Sequence, residues 1–213
     1  MTTFEDTRLT DLAAALTVTK GFPTQRALPE GDVRVMSVAA LRNNAPPKYF
    51  AERHAIADVG VEIARPGDVL VAIEGGTVGE TFVVSDGIAA FVPSQQVATL
   101  RVVDPRRLDP WYLGAWLTTE PAREQLRRLA RGLGIQRIPI KELASLIVRV
   151  PPLDEQREIG QRFLAFESAI RSHRSVTACL EELRDLDFVV TFAAAGAPTP
   201  SNVAAKQRRA ATR

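Results

Sequence analysis

At 213 residues, with 46% hydrophobic residues, 24% charged residues and a net charge of +2, the chain has an ordinary globular composition. That length allows one sizeable domain of about 150 residues and one further element. No window approaches the roughly 18 uncharged apolar residues of a membrane span, and the stretch from Met1 to Arg8 is too acidic and polar for a secretory signal. The single Cys179 excludes an internal disulfide, which fits a reducing cytoplasm. Its expected role is that of a small apolar residue on a helix, with a redox or intermolecular thiol as the lesser alternative.

The charge is unevenly placed. Residues 51–100 hold two Lys/Arg against seven Asp/Glu, whereas residues 101–150 hold ten against five. The basic block is mostly arginine. It suits a face that tracks phosphates, and it equally suits a solvated helix face.

In chain order, Thr10-Asp11 can cap a short helix carrying Leu12, Ala13 and Leu16, which Gly21-Phe22-Pro23 would break. Gly31-Asp32 leads into a predicted strand through Val33, Val35 and Ser37. Leu41 to Tyr49, with Asn43-Asn44 and Pro46-Pro47, reads as an exposed loop. Its Arg42, Asn43, Asn44, Lys48 and Tyr49 are of the types that read bases or hold phosphates. A polar surface loop around a buried tyrosine explains them equally well.

Pro66-Gly67-Asp68 predicts a turn, and Val69–Ile73 and Thr81–Val84 predict a hairpin joined by a Gly-rich connection, Glu74 to Gly79. That connection is not a nucleotide-binding loop. The lysine that reaches the phosphates would stand where Glu80 stands, and a strand rather than a helix follows. Its glycines, with Thr77 between them, permit tight turning or close backbone approach to DNA. Ile88–Val92 and Val97–Val103 predict two more strands, separated by Pro93 to Gln96. Gln95 and Gln96 can bond the edge of an adenine, or form a solvated turn.

Asp109-Pro110 predicts a helix start that partly buries Trp111, Leu113 and Trp116. Glu120-Pro121 predicts another, with Leu126 and Leu129 facing in, Arg123, Arg127, Arg128 and Arg131 facing out, and Gly132 and Gly134 ending it. Gln136 and Arg137 lie on the next loop. A strand, Leu146 to Val150, then meets Pro151-Pro152, and Asp154-Glu155 suit a helix N-terminus. About forty residues without a proline follow, a helix of roughly 60 Å. Ile159, Phe163, Phe166 and Ile170 step by four, three and four, and Val176, Leu180, Leu183, Leu186 and Val190 extend the stripe. That spacing predicts a helix pair. His173 and Thr177 interrupt it, either to fix register or to face solvent. The Ala-, Pro- and Ser-rich tail from Ala193 to Arg213 is expected to be a disordered basic tail.

Several of these segments together resemble a known family. Gly134 to Leu143, the strand after it, Val150-Pro-Pro-Leu-Asp-Glu-Gln156 and Ile159 are similar to the DNA-specificity subunits of type I restriction–modification systems. Pro66 to Val71 and Gly76-Thr-Val-Gly79 match the same pattern, and the similarity covers most of residues 8–190. Typical members carry two recognition domains and two spacer helices; this chain has one of each. The resemblance implies an α+β fold, with a mixed β-sheet target recognition domain (1–150) followed by a long coiled-coil-forming spacer helix (151–192). It also implies that Arg131, Gln136 and Arg137 are the strongest candidates for DNA contact.

The implied partners are double-stranded DNA, methyltransferase subunits and, through them, a restriction subunit, with no membrane. No cofactor is expected in this chain; S-adenosylmethionine is expected on the methyltransferase. Homodimerisation through Ile159, Phe163, Phe166, Ile170, Leu180 and Leu183 would supply the second half of a bipartite reader, and a two-fold pair would read a palindrome.

Catalytic signatures are not found. His54 and His173 stand far apart without ligand-spaced neighbours, no Gly-x-Ser-x-Gly elbow occurs, and Pro46-Pro47-Lys48-Tyr49 is not an adenine-methyltransferase motif. The expected role is to read DNA without catalysing. Two alternatives remain: a regulator that docks on methyltransferase or nuclease subunits through its helix without reading sequence, and a nuclease with an unrecognised site.

Overall fold

A computed structural model describes residues 5–12 and 14–194; the expected tail lies outside them from residue 195 on. The chain divides into two units, residues up to Ser168 and residues from Ala169 onward.

The first unit is an α+β domain. Strand β1 (Glu5–Arg8) pairs antiparallel with β9 (Ile147–Val150), setting Glu5 opposite Val150 and Arg8 opposite Ile147. The N-terminal segment is therefore a strand, which its polar composition did not suggest. A 3-10 turn, Leu9–Leu12, then buries Leu9 and Leu12. The helix expected through Leu16 does not form. Leu16 opens strand β2 (Leu16–Lys20), where Leu16 and Val18 pack inward while Thr17 and Thr19 stay exposed. That alternation is strand periodicity.

Strand β2 lies beside β8 (Val97–Val102), followed by β5 (Val69–Ala72) and β6 (Thr81–Val83), all antiparallel to their neighbours. The expected hairpin is the β5–β6 pair. A separate three-stranded sheet has the order β4-β3-β7. Its strands are β3 (Val33–Met36), β4 (Tyr49–Ala51) and β7 (Phe91–Pro93), and the β3–β7 pair is parallel. The expected strand at Ile88 begins only at Phe91. Leu41 and Arg42 are not in a loop: they end helix α1 (Val38–Arg42), which Ser37 caps by accepting from the Ala40 N–H at 3.2 Å. A short helix α2 (Arg53–Asp58) follows β4.

Helix α3 (Pro110–Leu117) starts at Asp109, whose carboxylate accepts from the Tyr112 N–H at 2.8 Å. Leu113, Leu117 and most of Trp116 are buried in the main core with Leu100, Leu108 and Val69. Helix α4 (Glu120–Leu129) stops at Ala130, which is already extended, so Gly132 and Gly134 do not cap it. Gly132 instead serves the loop beyond, with φ of +118° and the Ile135 carbonyl 2.5 Å from where a Cβ would stand. A single turn, α5 (Ile140–Leu143), precedes β9.

Helix α6 runs from Leu153 to Ala194, and its first turns belong to the domain. Gln156 is 2% exposed. Its Oε1 accepts from the Asp109 N–H at 2.9 Å, and its Nε2 donates to the Pro151 carbonyl at 2.9 Å. Gly160 lies against the start of α3, where a Cβ would stand 2.5 Å from Asp109 Oδ1 and 2.9 Å from Trp111 Cβ. The Tyr112 hydroxyl donates to the Arg149 carbonyl, and burial, reinforced by the Glu155 charge, pushes its pKa up to about 12. Ile159 and Phe163, expected on the helix-pair seam, pack against the main core instead. For Phe163 the close approach is to α3, where a Cβ on Gly114 would stand 3.3 Å from its ring. Among the described residues no helix is long and apolar enough to cross a membrane.

Replacing Gln156 with Ala leaves the Asp109 N–H and the Pro151 carbonyl without their side-chain partner in a dry site. A loss of about 1–3 kcal/mol is expected, read as a lower midpoint in urea unfolding. An unchanged midpoint would remove Gln156 from its anchoring role.

Candidate nucleic-acid interface

The strand pairing determines which loops meet. Ala72 at the end of β5 lies opposite Val97 at the start of β8, β6 begins at Thr81, and Lys20 ends β2 opposite Ala98. Residues 73–80 and 93–96 therefore emerge at the same end of the four-stranded sheet. Backbone hydrogen bonds join them: the Ile73 N–H donates to the Gln96 carbonyl and the Ile138 N–H to the Ile73 carbonyl, both at 2.8 Å. The 131–138 loop closes on the same end. Arg131 and Arg137 exchange backbone bonds of 2.8 and 2.9 Å, and the Gly75 N–H donates to the Gln136 carbonyl at 3.1 Å. Arg42 joins the group through a 3.1 Å ion pair with Glu80.

Most of the expected contact residues thus fall into two neighbouring sets. Asn43, Lys48, Tyr49 and Gln96 line one cleft of about 490 Å³, together with Ser37 and Ser94. Tyr49 is 48% exposed, which rules out the reading of that loop as a cover for a buried tyrosine. Arg131, Gln136 and Arg137 stand with the Thr77 turn in the second set. In that turn the Glu80 N–H donates to the Thr77 carbonyl at 2.9 Å, and Gly75 and Gly79 take positive φ. Asn44 adopts a left-handed φ of 49° and shapes the turn after α1. Gln95 does not share the cleft with Gln96; its Oε1 accepts from the Thr24 N–H at 3.4 Å.

The arginine block divides by partner. On α4, Arg127 pairs with Glu120 at 2.5 Å and Glu124 at 2.7 Å, and Arg128 with Glu124 at 3.1 Å. The two arginines hold the Glu124 carboxyl below its ordinary pKa. These are exposed helix-face pairs, so the solvated-face reading describes α4. In the loop set, Arg131 pairs with Glu142 at 2.5 Å and Arg137 with Glu74 at 2.8 Å. Sequence reasoning missed Glu74, Glu80 and Glu142. Each is paired with an arginine distant in sequence, and the one local signal was an acid at each end of the Gly-rich turn.

The opposite end of the sheet carries a different charged cluster. Buried Asp68 accepts from Arg101 at 2.7 and 2.6 Å and from the Arg65 N–H at 2.8 Å, and Glu62 also contacts Arg101. The Arg101 guanidinium finds its acceptors within the domain, so this cluster holds the turn before β5. Among the described residues, no group of three or more His, Cys, Asp or Glu is placed to hold a metal ion.

The second unit, by itself, is helix through Ala194. Ile170, Val176, Leu180, Leu183, Leu186 and Val190 are all exposed along it, and the Phe188 and Phe192 rings stack at 6.2 Å. Phe166, the last stripe residue of the first unit, is 67% exposed.

A mixed-sheet domain followed by a long helix is the architecture of solved type I specificity subunits. The S subunit of a type I restriction–modification system from M. genitalium superposes with a TM-score of 0.62 at 19% identity, over 86% of this chain and 44% of that one. A chain from a structure of complex assembly and conformational transition of the type I R-M system gives 0.54 at 23%, over 86% and 43%. The HsdS subunit from Thermoanaerobacter tengcongensis gives 0.52 at 20%, over 81% and 39%. This chain therefore spans less than half the length of each of these solved chains. No curated protein sequence matches it. Residues 1–182 match the type I restriction modification DNA specificity domain family, and the chain belongs to that family.

Within the loop set Gly132 combines a positive φ with a close backbone approach, the Ile135 carbonyl standing 2.5 Å from where a Cβ would be. Gly132→Ala is expected to strain the turn by about 1–3 kcal/mol and to speed hydrogen exchange at the Ile138 and Gly75 amides. Exchange at the wild-type rate would show that the loop is held by other means.

Proposed function

We propose that this chain reads DNA sequence as one half of a type I specificity subunit, and that two copies pair through the helix to make the whole reader. The observation that carries the proposal is the exposed apolar stripe from Phe166 to Val190, in a member of the DNA specificity family that spans less than half of the solved chains. A stripe of that length is stable in water when a partner helix covers it. Ile159 and Phe163 are left out of this seam, since the domain already covers them in part.

In this reading the loop end of the four-stranded sheet faces double-stranded DNA. Asn43 and Gln96 have the donor–acceptor pairs that match an adenine edge, Arg131, Gln136 and Arg137 reach bases or phosphates, and Lys48 holds a phosphate. Tyr49 offers an apolar face beside them. Arg42, Asn44, Thr77 and Gln95 complete the candidate set. The dimer carries methyltransferase subunits, which hold S-adenosylmethionine and methylate adenine, and through them a restriction subunit. Catalysis belongs to those partners. Two identical readers related by a two-fold axis give a palindromic, gapped site.

The test is a methylation map of host DNA after co-expression with the methyltransferase encoded beside this chain. Adenine methylation at a palindromic gapped motif is the expected result. An asymmetric motif would mean that a different chain supplies the second half. Absent methylation, with the two proteins associated, would favour a regulator that docks through its helix without reading sequence. Independently, the double replacement Phe166→Glu and Ile170→Glu is expected to give a folded monomer by sedimentation; an intact dimer would discard the helix-pair seam.

A further inference from the structure

Arg137 and Glu74 come from separate loops and are tied twice. Their backbones form an antiparallel bridge, and Arg137 Nη2 lies 2.8 Å from Glu74 Oε1. The neighbouring bonds from Gly75 to Gln136 and from Ile138 to Ile73 fix both backbones on the sheet end. The two side chains differ in exposure: that of Glu74 is 17% exposed and that of Arg137 is 62% exposed. The carboxylate therefore holds the guanidinium at Nη2, and most of the Arg137 side chain is open to solvent. Glu74 also holds the Arg137 pKa above its ordinary value. Arg131 and Glu142 repeat the arrangement at 2.5 Å, with the acid again the less exposed partner.

An arginine meets DNA in two ways. A phosphate attracts it by net charge, whereas guanine N7 and O6 attract it by two aligned N–H groups. A carboxylate paired with the guanidinium cancels much of the charge and leaves the aligned donors in place. It weakens the first interaction more than the second. Resting on the DNA-reading function above, we propose that Glu74 is a specificity-determining positioning residue: it holds Arg137 and cancels its charge, so that Arg137 selects a guanine edge in the major groove over a phosphate.

The experiment uses the full chain and two duplexes, one selected from a random library by the wild type and one of the same composition with shuffled sequence. Affinity for each is measured across a range of KCl concentrations. Glu74→Gln keeps the shape and an accepting oxygen but restores the arginine's charge. It is expected to bind the shuffled duplex severalfold more tightly, to steepen its salt slope by about 0.9 for one added phosphate contact, and to narrow the selected-to-shuffled ratio about tenfold.

Arg137→Lys, which leaves Glu74 in place, is expected to narrow the ratio without changing the slope, because it keeps the charge and loses the fork. Wild-type slope and ratio in Glu74→Gln would overturn the proposal, with DNA reading left standing. A slope on the shuffled duplex that flattens by about 0.9 in Arg137→Ala would also overturn it, since that marks a phosphate contact in the wild type. A wild type that selects no sequence at all overturns the DNA-reading function and this proposal together.

Discussion

The structure depends on how a long helix begins. The first N–H groups of any helix have no partner within it, and a helix that starts against a core must not leave polar atoms dry. Here one amide side chain serves both sides of the junction. Gln156 accepts from the N–H of Asp109, which caps α3, and donates to the Pro151 carbonyl, while Gly160 lets α3 and α6 approach where any side chain would collide. Tyr112 adds a third tie from α3 to the last residues of β9. Pro151 and Pro152 end the strand between these ties, since neither can donate to a ladder. The Pro-Pro-Leu-Asp-Glu-Gln run is thus a mechanical joint: prolines to stop a strand, acids to start a helix, and a glutamine to pin the two together.

The candidate interface follows from sheet geometry more than from any one motif. Antiparallel order brings the 73–80 and 93–96 loops to one end, and the last loop before α5 is stitched there by backbone bonds. At the other end, buried Asp68 takes the Arg101 guanidinium wholly into the domain's own network. The two ends use the same residue types differently. Around Asp68 the acid and base satisfy each other in a part-buried site, whereas Arg131 and Arg137 lean on acids yet keep most of their surface in water.

Much of the fold was legible where one element carried its own signal. The β5–β6 hairpin, the α3 start at Asp109-Pro110 and the α6 start after Pro151-Pro152 all rest on local chemistry and stand where the residues indicated. Misreadings arose where the partner was remote. Glu5 to Arg8 carries no local strand signal, and its partner β9 lies more than a hundred positions away. Leu12 and Leu16 share a helical spacing, but a turn separates them and the alternation with Val18 decides the outcome. Ile159 and Phe163 fit the stripe by spacing, and they turn inward because residues remote in sequence, from the main core cluster, lie against them. At the interface, residue types were readable and their grouping was not. Nothing near Arg137 in the sequence announces Glu74.

The β1–β9 pair has one more consequence. Because Glu5 lies opposite Val150, the domain opens and closes at the same place, one residue before the prolines that launch α6. A module whose two ends are hydrogen-bonded neighbours can be exchanged for another of different sequence and size without altering the spacing between what comes before it and what comes after. Any replacement would have to match the fittings at the start of α6: the Gln156 bonds, the close approach at Gly160 and the packing of Ile159 and Phe163.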